Sequence, residues 1–253
     1  MGSPKASLEW HGSTLLYRAA GLACRTVDGP VVVVRAHGQD LPALPVGVEI
    51  AEDERDDRGP LQGIAAGVAA IGERAAVVFV SGVDLPLLHP ALVRHVLRSL
   101  RPDDDVALPH AHGFAQPLAA AYRTSIAPRL HELIAHDRLG TRDLFATLRV
   151  RELDEAALLA DPGVARLDPA LDSLLNLNEP REYEAARARP APLISITTPC
   201  GAPRTVRAAT LVEAAAAAGV TAAHAIVAGH GTIADPHWPL VAGDSLQFLA
   251  ATS

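Results

Sequence analysis

Apolar residues recur at helical spacing through residues 14–24, and at 31–34 the chain reads "VVVV", an unbroken apolar run of the kind found in strands covered on both faces. Residues 46–51 predict a second short strand. The stretch "GPLQGIAAGVAA" at 59–70 opens on Gly-Pro and continues with small residues at helical spacing, which predicts a tightly packed helix whose N-terminus faces a ligand. "AAVVFVS" at 75–81 predicts another fully buried strand, 90–100 an amphipathic helix, and 106–109 and 117–122 two more strands. Strands and helices alternating in this way predict an α/β unit, a mostly parallel sheet with helices on both faces and ligands at the C-terminal ends of its strands.

The pattern changes at "AARARPAP", residues 185–192, where a helix gives way to a Pro-containing linker. A boundary there divides the chain into a unit of residues 1–188 and a smaller one of residues 189–253. In the second, 193–197 and 204–207 read as a hairpin, 211–218 as a short helix, 225–228 as a strand and 245–249 as a last strand after the turn "AGD". That order describes a small ubiquitin-like α+β sheet with one helix packed across it.

Composition narrows the function classes. With 253 residues, 49% of them hydrophobic, the chain can bury a substantial core. The net charge of -7 and the scattered arginines exclude the basic stripe that a phosphate backbone requires, so nucleic acid is not an expected partner. No apolar run approaches the roughly 20 residues that span a bilayer, so no membrane segment is expected and the cytoplasm is the expected location. Cys24 and Cys200 lie far apart without metal-ligand spacing and read as free thiols.

Against this background a few residues stand out. Lys5 is the only lysine in the protein and follows a Gly-Ser-Pro turn, where its ammonium could neutralise a phosphate or simply decorate a solvated tail. Asp84 sits just past the apolar strand at 75–81 and suits a magnesium ion, which takes a few oxygen ligands plus substrate phosphates; its alternative is to cap the helix that begins near Pro90. Asn176 and Asn178 alternate along an extended segment and could bind a ligand or cap the helix at Pro180. "EDERDD" ahead of Gly59 reads either as a solvated charge run or as a source of ligand-binding acids. His110 and His112 point the same way on an extended segment but lack a third ligand, and read as surface histidines.

Five stretches in this order, "MGSPKASLEWHGSTLLYRA", "EDERDDRGPLQGIAAGVAA", "VVFVSGVDLPLL", "GFAQPLAAAYR" and "LLNLNEPREYE", resemble the nucleotidyltransferase family of molybdenum cofactor guanylyltransferases. The resemblance implies a Rossmann-like fold that binds GTP with Mg2+, transfers GMP to the terminal phosphate of molybdopterin and releases pyrophosphate. It implies further that Lys5 lies against the nucleotide phosphates, that Asp84 holds the metal, and that Asp53, with Asp56 and Asp57 close by, lies near guanine and ribose. Gly59, Pro60, Leu61 and Gly63 would shape the nucleotide pocket, and Asn176 and Asn178 would face the pterin or the metal.

The resemblance also defines departures. The family's first strand and Gly-Gly turn would precede Met1, so that Met1-Gly2-x-x-Lys5 reads as the back half of a phosphate-binding motif and the sheet is expected to lack a central strand. The C-terminal unit is similar to the β-grasp sulfur carriers of molybdopterin and thiamine synthesis, but it ends Ala-Thr-Ser rather than Gly-Gly, so docking to cofactor-assembly proteins is expected and sulfur carriage is not. A cytidylyl-transferring homologue and a noncatalytic binding or assembly module are the competing readings.

Overall fold

The computed structural model describes residues 4–53, 59–199, 201–220 and 225–249. Strands β1 (Glu9–Trp10) and β2 (Ser13–Thr14) make a short hairpin that leads into helix α1 (Leu15–Cys24). Next come β3 (Val32–Ala36), β4 (Glu49–Asp53), α2 (Pro60–Ile71), β5 (Val77–Ser81) and α3 (Pro90–Ser99). They are followed by β6 (Val106–Ala111), β7 (Phe114–Ala115), β8 (Ala119–Arg123), α4 (Ala127–Ala135), α5 (Thr141–Phe145) and β9 (Val150–Leu153). Helices α6 (Glu155–Leu159), α7 (Pro162–Leu167) and α8 (Pro180–Arg187) complete the first unit. The second contains β10 (Leu193–Thr197), β11 (Arg204–Arg207), α9 (Leu211–Ala218), β12 (Ala225–Val227), β13 (Gly231–Ile233) and β14 (Ser245–Phe248).

Local chemistry sets the helix starts. The Thr14 side chain accepts from the Tyr17 N–H at the head of α1, and His89 accepts from the Ala91 N–H at the head of α3. Pro60, Pro90 and Pro180 each occupy a first helical turn, where the missing N–H costs nothing.

The main sheet runs β5-β8-β6, with β7 and β9 also on β6, and it is mixed. Strand β8 runs antiparallel to both β5 and β6, so β5, β6 and β9 share a direction while the neighbour between β5 and β6 is reversed. This corrects the mostly parallel expectation: the short connection through β7 returns the chain beside β6 as a hairpin would. Alternation divides the core. Phe79, Ala107, Ala119 and Ala121 face the layer of α3, whereas Val80, Leu108, Ala120 and Tyr122 face α2 and α4.

Strands β3 and β4 pair in parallel as a separate two-stranded sheet, against which α2 packs. The runs at 31–34 and 75–81 are half-buried rather than covered on both faces, because β3 and β5 are each an outer strand of its sheet. Val46 is fully exposed and lies outside β4, which starts three residues later than the pattern suggested.

In the second unit the order is β11-β10-β14-β12-β13, with β10 and β14 parallel at the centre and α9 buried against one face. This unit packs directly on α1. Arg25 meets Asp244 through two bonds of 2.8 and 2.7 Å and donates to the Pro239 carbonyl at 2.6 Å. Tyr17 donates to Asp235 at 2.9 Å, and His11 lies 3.2 Å from Glu213. Cys24 is a free, half-buried thiol; Cys200 lies outside the described residues.

Candidate active site

Beyond β5, the Gly82 N–H still pairs with the Leu118 carbonyl at 2.9 Å, and the chain then turns sharply through Val83 and Asp84. A Cβ on Gly82 would collide with Oδ1 of Asp84, so the glycine is the surface on which this carboxylate rests. Leu85 and Leu88 are buried below, and the Leu88 N–H closes the turn on the Leu85 carbonyl. The Asp84 carbonyl accepts from the Leu177 N–H at 2.9 Å, which draws the segment 176–178 alongside the loop.

That pairing creates the site. Lys5, on a single 3-10 turn Lys5–Ser7, donates from Nζ to Asn178 Oδ1 at 2.8 Å and lies 3.4 Å from Asp84 Oδ2. Just beyond the turn, Leu8 packs on the buried cluster of Trp10, Leu15, Leu177 and Ala186. A third of the lysine side chain is exposed, so its charge is available to a ligand. Asp84 is not the cap of α3, which is His89. Nor does Asn178 cap α8: Glu182 accepts from the Asn178 and Glu179 N–H groups, and those two donors hold its carboxyl below the usual range. The Asn178 amide is therefore left to face Lys5.

Asn176 points elsewhere, donating from Nδ2 to Oε1 of the buried Gln116 at 3.0 Å. Gln116 belongs to the "GFAQPLAAAYR" stretch, and with Gly82 it is a site residue that reading along the chain did not single out. His110 lies in β6, 3.8 Å from Glu152, and His112 occupies the following turn with φ 54°. His110 is half-buried, and His112 is exposed with its Nε2 3.1 Å from the Leu171 carbonyl.

The remaining candidates sit on other elements. Asp53 ends β4, while Gly59, Pro60, Leu61 and Gly63 open α2; Asp56 and Asp57 lie outside the described residues, as do Met1 and Gly2. Gly59, at φ 78° and ψ -179°, occupies a region that only glycine visits easily. Leu61 is fully buried in the core between α2 and the sheet, where it anchors the helix; Gly63 has open space where a Cβ would be.

The donors fit magnesium in one way. Among the described residues no group of three or more His, Cys, Asp and Glu could hold an ion. Asp84 instead offers a hard oxygen beside the Asn178 amide, a partial shell of the kind magnesium completes with substrate phosphates and water.

Comparison with known proteins agrees with this architecture. The MobA-like NTP transferase domain matches residues 1–156. The chain is 29% identical over 187 residues to a molybdenum cofactor guanylyltransferase of Desulfosudis oleivorans, covering 74% of this chain and 87% of that one. It is 32% identical over 176 residues to a probable molybdenum cofactor guanylyltransferase of Mycobacterium avium, covering 68% of this chain and 86% of the relative. The crystal structure of molybdopterin-guanine dinucleotide biosynthesis protein A from Archaeoglobus fulgidus superposes with a TM-score of 0.57 at 19% identity, over 74% of this chain and 90% of that one, a likeness of fold. A loop that seats one carboxylate at the end of β5, a lysine brought to it from the N-terminus and a family match over more than half the chain lead to one assignment: this protein belongs to the MobA-like NTP transferases.

Proposed function

We infer that the protein is a molybdenum cofactor guanylyltransferase that moves GMP from GTP to molybdopterin. The observation that carries the reading is the convergence of Lys5, Asp84 and Asn178 from segments 79 and 173 residues apart onto one loop at a strand end. The reaction forms a bond between the terminal phosphate oxygen of molybdopterin and the α-phosphorus of GTP, breaks the bond from that phosphorus to the β-phosphate oxygen, and releases pyrophosphate. Such a transfer needs positioning and charge neutralisation more than covalent chemistry from the protein.

Lys5 supplies a compact positive charge to the phosphates, and Asn178 orients it. Asp84 would hold magnesium, which when bound neutralises phosphate charge. Gly59 and Gly63 leave the start of α2 open to the nucleotide, with Asp53 at the neighbouring strand end. Asn176, whose amide donates to Gln116, would contribute to the pterin side of the site through that pair. In the same reading residues 189–253 form a β-grasp domain, which the central parallel pair β10–β14 and the single helix across the sheet support.

The test is pyrophosphate release and dinucleotide formation from GTP or CTP with magnesium and loaded molybdopterin. Turnover with GTP is expected, with a drop on the order of 100-fold in Asp84→Asn and in Lys5→Met, the scale of removing one preorganised charged group. No product from either nucleotide, with binding retained, would replace the enzyme by a binding module. Product from CTP alone would move the chain to the cytidylyl branch.

A further inference from the structure

The loop that carries Asp84 has a second set of contacts, on the side away from Lys5. Arg18, on α1, is buried, and its guanidinium bridges three main-chain carbonyls. Nε donates to Pro86 at 2.6 Å, Nη1 to Ala209 at 3.4 Å and Nη2 to Leu240 at 3.4 Å. Pro86 is two residues from Asp84; Ala209 and Leu240 belong to the second unit. All three bonds end on carbonyls, so a buried charge is spent on joining one loop to two distant segments. An apolar side chain would fill that space at lower desolvation cost.

The far end of the loop is held in the same manner. His89 accepts the Ala91 N–H on Nδ1 at 3.0 Å, which leaves the ring proton on Nε2 to donate to the Ala242 carbonyl at 3.1 Å. Val241 adds its side chain to the core that contains Leu85 and Leu88. Segment 239–242 thus reaches the loop directly through Val241 and Ala242 and, by way of Arg18, through Leu240, and Pro239 lies so close to Gly21 that a Cβ there would be 3.0 Å away.

We propose that the C-terminal unit acts in cis as a brace for the Asp84 loop, with Arg18 the positioning residue that transmits it. This rests on the nucleotidyltransferase reading for its kinetic consequence only; the mechanical part stands on these contacts. Arg18 touches no reacting atom. It fixes the Pro86 carbonyl, and through the turn Asp84–Leu88 the direction of the Asp84 carboxylate.

The experiment compares the full chain with Arg18→Met, Arg18→Lys, His89→Asn and Tyr17→Phe. Tyr17 is the control: its bond to Asp235 crosses the same interface without reaching the loop. Asparagine at 89 can still cap α3 but is too short for Ala242. Amide hydrogen exchange over residues 82–89 is the primary readout, with kcat and KM for GTP beside it. Arg18→Met is expected to speed exchange there about tenfold, the loss of one charge-assisted bond, and to lower kcat with little change in KM. Arg18→Lys should recover part of both, and Tyr17→Phe should leave 82–89 unchanged. Should Arg18→Met not fold, His89→Asn decides, with faster exchange expected at residues 85–89. Unchanged exchange over 82–89 in folded Arg18→Met or His89→Asn overturns the proposal, as does an equal rise in Tyr17→Phe. If the parent chain makes no product, the reaction reading fails while the exchange data still decide the brace.

Discussion

On its front side the loop from Gly82 to His89 meets Lys5 across 3.4 Å, between a lysine one-third exposed and a carboxylate about one-fifth exposed. On its back it meets Arg18 and His89's carbonyl partner in dry surroundings, a few residues from the Arg25–Asp244 pair, whose arginine side chain is 3% exposed. Both sets of contacts join residues far apart in sequence; the dielectric is what differs. In water a lysine–carboxylate pair is worth at most about 1 kcal/mol and is readily exchanged, so the front contact can yield to a phosphate. A buried pair cannot exchange partners, since removing one member strands the other without solvent. The front is built to be remade by a ligand and the back to stay as it is.

The largest expected effect breaks the back. Arg25→Met leaves the Asp244 carboxylate, 11% exposed, with the Val241 N–H as its hydrogen-bond donor among the described residues and should cost about 3–5 kcal/mol in urea unfolding. Arg25→Met with Asp244→Asn should cost less than the two single changes summed, because neither then leaves a charge behind. Lys5→Met, by contrast, should stay within about 1 kcal/mol of the parent. Equal losses from Arg25→Met and Lys5→Met would erase the distinction between the two sides.

A second change sharpens the front. Gly82→Ala introduces a methyl where Asp84 Oδ1 now rests, at a backbone position without positive φ, so the cost falls on the carboxylate's direction rather than on the main chain. Turnover should fall on the order of 100-fold, as for a displacement of about 1 Å in a positioned group, with the unfolding midpoint close to the parent's. A variant that loses stability instead of turnover would show that Gly82 serves the fold and not the carboxylate.

What could be read from the sequence follows the range of the interaction involved. Helix starts at Thr14, Gly59-Pro60 and Glu179-Pro180 are visible because caps and first-turn prolines act within four residues. The reversal of β8 and the separation of β3–β4 from β5 depend on partners far along the chain, which apolar runs do not encode. In the site, Lys5, Asp84 and Asn178 do meet, while Leu61 proved to be core. The buried arginines escaped notice because a helical arginine among apolar residues looks like surface. Arg18 and Arg25 are seven residues apart, which places both on the face of α1 that the second unit covers, and that spacing was the available signal.

The smallest expected effect is a slope. His89 and His230 both lie beside the Arg25–Asp244 pair, and burial is the main reason each has its pKa lowered; Arg25 and Arg94 lower both further, while Asp244 and, for His89, the Ala242 bond oppose. Above the unfolded value of about 6.5 both states are neutral and stability is complete. As pH falls through about 6.5 toward the lowered folded values, the unfolded chain takes up protons that the folded chain resists, and stability declines. The lowered carboxyls, such as Glu213 with its His11 and Ala209 donors, lose their contribution only at more acid pH, so the two ranges separate. Urea midpoints should therefore fall between pH 7 and pH 5.5, with a shallower fall in His89→Asn, whose side chain does not titrate. Midpoints that hold level or rise over that range would mean that the second unit's contact with the loop opens to water, and the back of the loop would then resemble its front.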